Sequence, residues 1–151
     1  GSMAVGASYN LTGSSPELDV QDHLGNLQRL QRLMPASTLT TRHIQGGRVG
    51  FRATTPDYLP MVGQLADGDA LLTRFAHLRK DKNYRFTESM PWLSGLYINA
   101  GHGSKGLITA PLAAELLAAQ ISGEVLPMSR HVAAALEPNR FFLRDMMRRK
   151  R

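Results

Sequence analysis

The residues of this chain best suited to chemistry by type and spacing are Gly101-His102-Gly103-Ser104-Lys105-Gly106, three glycines and a lysine within six positions. Glycine allows the backbone to approach a ligand closely. The apolar stretch 95–100 before the loop predicts a short buried strand, and the run 112–121 after it predicts a helix. A helix N-terminus aims unpaired N–H groups and a partial positive charge at whatever binds there. The arrangement suits a phosphate, a carboxylate or the electron-rich edge of a flavin, and it also suits a plain structural connection. Gly101-x-Gly103-x-x-Gly106 has the written form of the dinucleotide fingerprint, but no βαβ unit with a suitably spaced acidic residue follows it. Lys105 precedes the last glycine, whereas the Walker loop requires it to follow.

Arg52 is the second candidate. Partial alternation across 38–52, broken at Gly46-Gly47, predicts two strands with a hairpin or bulge between them. On the second arm Val49 and Phe51 share one face, and Arg48, Gly50 and Arg52 the other. Thr54-Thr55-Pro56-Asp57-Tyr58-Leu59-Pro60 predicts a stiff turn, with 61–63 returning to extended form. A guanidinium at a strand end beside such a turn is a preset, permanently charged fork for a carboxylate or a carbonyl edge. Pairing with a carboxylate on the sheet surface is the structural alternative.

The elements that must position these residues follow from pattern. Residues 3–9 suit a strand and 10–16 a turn. Val20, Leu24, Leu27, Leu30 and Met34 recur at helical spacing, with Asp19 or Ser15 as N-cap and Pro35 as terminator. A further helix is expected over 69–78, then a polar loop over 80–91 with Tyr84 and Phe86 pinning it. In the Ala/Leu helix, Leu112, Leu116, Leu117 and Ile121 form the expected buried stripe, Pro111 lies in the first turn and Ser122-Gly123 is the stop. Short helices are expected over 129–136 and 139–147, the last docking through Phe141, Phe142, Leu143 and Met146. His23 and His77 read as surface and packing residues.

At 151 residues and 42% hydrophobic content the chain has material for one core. Gly1-Ser2-Met3 reads as an expression remnant. With no cysteine, and five histidines without paired spacing, neither a disulfide framework nor a metal site is expected. The lack of cysteine fits a cytoplasmic chain, and since no apolar run reaches membrane-spanning length a soluble one is expected. A net charge of +6 points to a polyanionic partner. Its excess lies largely in Arg148-Arg149-Lys150-Arg151, with a second cluster at Arg74, Arg79, Lys80, Lys82 and Arg85; whether the two share a face is left open by the sequence.

The stretch Gly50-Phe51-Arg52-Ala53-Thr54-Thr55-Pro56-Asp57-Tyr58-Leu59-Pro60-Met61-Val62-Gly63 resembles a segment of the FAD-dependent D-amino-acid oxidase and glycine oxidase family. Residues 95–117 resemble that family's C-terminal flavin motif. Gly103-Ser104-Lys105-Gly106-Leu107, the alanine- and leucine-rich run after Pro111, and Glu137-Pro138-Asn139-Arg140-Phe141-Phe142 are similar to members that modify the tRNA wobble uridine.

The resemblance implies an α+β fold, a mixed or antiparallel sheet with packed helices. It would be a fragment of the FAD-dependent D-amino-acid oxidase fold, holding the late substrate domain plus the last strand and helix of the FAD domain. On this reading 1–3 is the remnant, 4–94 the later substrate domain, 95–137 the FAD-contacting strand, loop and helix, and 138–151 a C-terminal helix and basic tail.

The implied cofactor is FAD, its pyrimidine edge against the backbone of Gly101, His102, Gly103, Ser104, Lys105, Gly106 and Leu107, with Arg52 beside it. Arg52 matches the family arginine that reaches the substrate carboxylate. Glycine oxidases place another arginine near Ser104, where Lys105 is the nearest cation, so Arg52 and Lys105 are the catalytic candidates. The implied reaction is oxidative removal of the carboxymethyl group from carboxymethylaminomethyl-(2-thio)uridine, the resulting imine then hydrolysing. The implied partners are tRNA and missing N-terminal segments of the same polypeptide, including a methyltransferase half with an S-adenosylmethionine site; neither membrane nor metal is implied. Without the N-terminal Gly-x-Gly-x-x-Gly unit the separate chain is expected to bind FAD weakly or not at all. The alternatives are a small-molecule amine or amino-acid oxidase and a non-enzymatic basic RNA-binding domain.

Overall fold

The computed structural model describes residues 1–13, 15–81, 83 and 87–148. The anchoring role of Tyr84 and Phe86, and the basic residues Lys82, Arg85, Arg149, Lys150 and Arg151, lie outside the described residues. The chain divides into two compact units, Gly1–Phe51 and Arg52–Arg151.

The first unit is built on α1 (Val20–Leu33), capped by Asp19, whose carboxylate accepts from the Gln21 N–H at 2.8 Å. Leu30 is its buried residue, while Val20, Leu33 and Met34 are exposed. The strands expected in 3–9 and 38–52 are not formed; 38–52 holds a single 3-10 turn, Thr41–His43. Local bonding wins there. The Thr40 N–H donates to His43 Nδ1 at 3.0 Å, which holds the backbone in a turn rather than a ladder. Gly47 passes close over α1: a Cβ on it would lie 2.5 Å from His23 Cε1.

The second unit is α+β. Among the described residues its sheet has two antiparallel strands, β1 (Met61–Ala66) and β2 (Trp92–Ala100), in the register Met61↔Ala100 to Gln64↔Tyr97, then a bulge before Ala66↔Trp92. Between the strands come α2 (Gly68–Arg74) and a 3-10 turn, Ala76–Arg79; after them come α3 (Gly106–Ser122), α4 (Arg130–Ala135) and α5 (Arg140–Met147). Asp67 caps α2 by accepting from the Asp69 and Ala70 N–H groups, and Ser129 caps α4 through Val132. Gly123 ends α3 in the left-handed conformation at φ 70°, as the Ser-Gly stop predicts.

Two small cores result. Val62, Ala113, Leu116, Ala133 and Leu136 join β1, α3 and α4; Leu71, Phe75, Leu78 and Met146 join α2, the following turn and α5. The buried face of α3 is therefore Ala113, Leu116 and Ala119, with Leu117 partly buried, while Leu112 and Ile121 of the expected stripe are exposed. Alanines let the helix lie close to the sheet, and the helix is apolar on its outer face as well. No helix among the described residues is long and apolar enough to cross a membrane.

Among the described residues no third strand pairs with the outer edge of β1; residues 136–139 bond to it instead. The Val62 N–H donates to the Leu136 carbonyl at 2.8 Å, the Ala66 N–H to Asn139 Oδ1 at 3.0 Å, and Asn139 Nδ2 to the Gln64 carbonyl at 3.0 Å. Asn139 also bonds Glu137 Oε1 and is buried. Its amide satisfies the backbone where the bulge interrupts the ladder. Asn139→Ala leaves that N–H and carbonyl unpaired and is expected to lower stability by about 1–3 kcal/mol, read as a lower urea midpoint at unchanged slope.

Candidate functional site

Strand β2 delivers the chain to Gly101, which turns at φ 80°, and Gly103 turns again at φ 56° into a 3-10 turn, Gly103–Lys105, that runs directly into α3. The helix begins at Gly106, so Pro111 is its sixth residue and not in its first turn. Lacking an N–H, Pro111 cannot donate to the Leu107 carbonyl one turn back. No side chain caps the first turn of α3. Leu107 and Ile108 beside it are 98% and 82% exposed. Uncapped N–H donors next to bare apolar side chains form a surface that suits a flat ring with a polar, electron-rich edge.

The stiff turn meets this loop directly. Thr54 bridges His102, and the Gly103 N–H donates to the Ala53 carbonyl at 3.0 Å. Arg52, exposed, leads into that bridge, and Lys105, also exposed, stands at the start of α3. The structure thus brings the segment bearing Arg52 against the loop bearing Lys105. The loop's glycines are required for that approach: a Cβ on Gly101 would lie 2.9 Å from Thr55 Cγ2, and one on Gly103 2.9 Å from Thr54 Cγ2. Gly106 differs, since a Cβ there would meet only His102 Cβ, at 3.6 Å.

His102 is held by both ring nitrogens. Nδ1 lies 2.8 Å from Thr109 Oγ1 and Nε2 2.9 Å from Asn99 Oδ1. Thr109 Oγ1 also donates to the Lys105 carbonyl at 3.0 Å, and the tautomer of His102 decides which ring nitrogen donates. The ring fastens the end of β2 to the start of α3. Asn99 and Thr109 were not read from sequence as part of the site; their spacing of three before and seven after the histidine becomes meaningful only when strand and helix fold back on each other.

The turn itself is anchored from a distance. Asp57 takes a two-pronged bond from Arg140, Nε to Oδ2 at 2.9 Å and Nη2 to Oδ1 at 3.0 Å. Arg140 Nη2 also reaches the Leu59 carbonyl, and Nη1 the Leu136 and Glu137 carbonyls. The Leu59 N–H donates to Asp57 Oδ1, and Thr55 Oγ1 lies 2.9 Å from the same oxygen. Together these bonds hold Tyr58 in a left-handed conformation at φ 59°. The Arg140 fork is the first cause that keeps the Asp57 carboxyl far below the usual carboxylate range; partial burial opposes it, and the Leu59 N–H and Thr55 hydroxyl add to it.

A cavity of about 320 Å³ lies elsewhere in this unit, lined by Gln64, Trp92, Tyr97, Gln120 and Glu137 among others, and no residue of the glycine loop lines it.

The sequence profile described as FAD dependent oxidoreductase matches residues 1–120. This chain belongs to the FAD-dependent oxidoreductase family. The FAD-dependent family assignment fits the loop geometry, since its backbone donors and exposed Leu107 and Ile108 offer what a flavin edge needs. Among curated relatives, the tRNA 5-methylaminomethyl-2-thiouridine biosynthesis bifunctional protein MnmC of Pseudomonas savastanoi pv. phaseolicola is 45% identical over 98% of this chain. The proteins of the same name from Pseudomonas syringae pv. tomato and Pseudomonas aeruginosa are 46% and 45% identical over 98% and 97% of it. The chain spans 23% of the length of each of these relatives.

Two outcomes follow for stability. Gly101→Ala and Gly103→Ala should each cost more than about 1 kcal/mol, whereas Gly106→Ala should be neutral or stabilise by up to about 1 kcal/mol, measured by urea denaturation. For Asp57, whose folded pKa lies below its ordinary value of 3.8, the stabilisation is complete above about pH 5 and is lost as pH falls below about 4 toward the folded value. The stability gap between the wild type and Asp57→Asn is therefore expected to hold constant from pH 8 to 5 at about 1–2 kcal/mol and to close in acid.

Proposed function

We propose that this chain is the C-terminal part of an oxidoreductase that removes the carboxymethyl group from carboxymethylaminomethyl-(2-thio)uridine at the tRNA wobble position. The observation that carries the reading is the bridge between Thr54 and His102, which holds the Arg52 segment against the uncapped start of α3. The names of the 45%-identical relatives supply the substrate class. In this reading residues 4–94 are the later substrate domain, 95–137 contact FAD and 138–151 close the chain; β2, paired with β1, straddles the boundary between the first two.

When bound, FAD supplies the two-electron oxidation of the substrate's C–N bond. Backbone N–H groups of the 101–107 stretch other than those of Gly103 and Lys105, which donate to the Ala53 and His102 carbonyls, would hold the polar edge of the ring, where the helix start would favour negative charge. Leu107 and Ile108 exclude water from it. Arg52 binds the carboxylate of the carboxymethyl group as a two-pronged fork, with Lys105 adding charge on the other element. His102, engaged through both ring nitrogens, keeps the loop in place.

The test uses the full-length protein with tRNA bearing carboxymethylaminomethyl-uridine, nucleosides being read by mass spectrometry, with glycine and sarcosine in parallel. Loss of the carboxymethyl group from tRNA alone is expected; turnover of the small amines alone would make it a small-molecule oxidase, and a full-length protein that binds no flavin would remove the oxidoreductase reading. Arg52→Ala should raise KM by about 10- to 100-fold with flavin occupancy unchanged.

A further inference from the structure

We propose that the cavity among β1, β2, α3 and α4 takes an unpaired guanine base of an RNA, an inference that rests on the tRNA reading above. Its volume of about 320 Å³ suits one flat ring system, and it lies wholly within the Arg52–Arg151 unit. Two local features shape it. A regular strand sends residues five positions apart to opposite faces, yet Trp92 and Tyr97 of β2 both line the cavity. The bulge permits this, since Tyr97 lies opposite Gln64 and Trp92 opposite Ala66. Gly63 lines it too, at φ 139°, and a Cβ there would lie 3.2 Å from both Gln120 Oε1 and Pro138 Cδ. Glycine is thus what lets those two lining residues come so close to the sheet.

The polar groups of the lining are mostly acceptors. Gln64 Nε2 donates to the Leu93 carbonyl at 2.9 Å, which leaves Gln64 Oε1 as an acceptor. Glu137 Oε1 takes the Asn139 amide, while Oε2 makes no hydrogen bond among the described residues. The same holds for the Gln120 amide, the Tyr97 hydroxyl and the Trp92 ring nitrogen. Among the described residues no lysine, arginine or histidine lines the cavity. Two aromatic side chains beside a carboxylate suit a flat ring rich in N–H donors, and a site with an anion and no cation disfavours phosphate. Guanine is the base that sets two donors side by side, N1–H and N2–H, in the pattern a carboxylate accepts in two prongs; uracil, cytosine and adenine each put an acceptor beside their donor. Gln120 and the Trp92 ring nitrogen supply donors for its O6. Trp92 and Gln120 are exposed, so the cavity opens to solvent and the ribose and phosphates stay outside. An unstacked base held on aromatic rings and read along its pairing edge is how single-stranded RNA is recognised.

Trp92 is the one tryptophan of the chain, so its indole N–H gives a single NMR signal that reports from the cavity. The full 151-residue chain is titrated with the trinucleotide UpGpU and with GMP, both of which should move that signal with similar affinity. UpUpU, AMP and IMP, the last lacking only the N2 amino group, should bind at least about tenfold more weakly. Glu137→Gln keeps an acceptor for Asn139 but loses the charge, and should weaken UpGpU at least about tenfold. Ala134→Leu narrows the cavity from an exposed position of α4 and should weaken UpGpU similarly without touching the Asn139 tie. Thermal melts check folding, and if Glu137→Gln unfolds, Ala134→Leu and the comparison of GMP with IMP decide. An indole signal unmoved by UpGpU at millimolar concentration, or equal affinity for UpGpU and UpUpU, would overturn the inference. So would choline binding more tightly than GMP, which marks an organic-cation site, or GTP binding tenfold more tightly than UpGpU, which marks a free-nucleotide site. Failure of the full-length protein to oxidise the tRNA would sink the function above and leave the guanine preference standing; absence of that preference with oxidation intact would sink the inference alone.

Discussion

The guanidinium of Arg140 closes on the carboxylate of Asp57 across 83 positions of sequence, and the same group binds the carbonyls of Leu59, Leu136 and Glu137. The stiff turn after Arg52 has few apolar contacts of its own, so its shape is fixed by this fork and by Thr55, which is buried beneath it. Because the turn is fixed, Thr54 and Thr55 can pack against the glycine loop. Asn139, the neighbouring residue, plays the equivalent role for β1 by bonding to its outer edge. The corner between α4 and α5 thus positions both the sheet and the turn that frame the site.

The glycine loop serves two purposes at once. Gly101 and Gly103 admit the methyl groups of the two threonines, a packing demand, while the start of α3 remains uncapped by any side chain, a binding opportunity. His102 locks strand to helix through its ring, which reaches Asn99 and Thr109. Exposed Leu107, Ile108, Leu112 and Ile121 make α3 apolar on both faces, the pattern of a helix that belongs between two layers.

The core of β1, α3 and α4 carries the family's loop, and the core of α2 and α5 joins two segments far apart in sequence. Each core is small, so the second unit depends on polar ties such as Asn139 and Arg140 more than a single large core would.

Local pattern alone determined α1, the return to extended backbone at Met61, the stop at Gly123, the closing helices and the two motifs, because caps, periodicity and turn chemistry act within a few residues. It misread 38–52, where Thr40 and His43 form a turn that alternation cannot reveal, and of the stripe expected on α3 it had Leu116 and the partly buried Leu117 right but counted Leu112 and Ile121, which are exposed, and missed the buried Ala113 and Ala119. Pro111 was misplaced for a related reason: the helix starts at Gly106, fed by a 3-10 turn that Gly103 and the Thr54 bridge hold in place. Only the tertiary structure decided that the two motifs touch, that Asp57 belongs to Arg140, and that α2 and α5 share a core. Those are contacts between residues tens of positions apart, set by which buried surfaces meet, and no spacing along the chain encodes them.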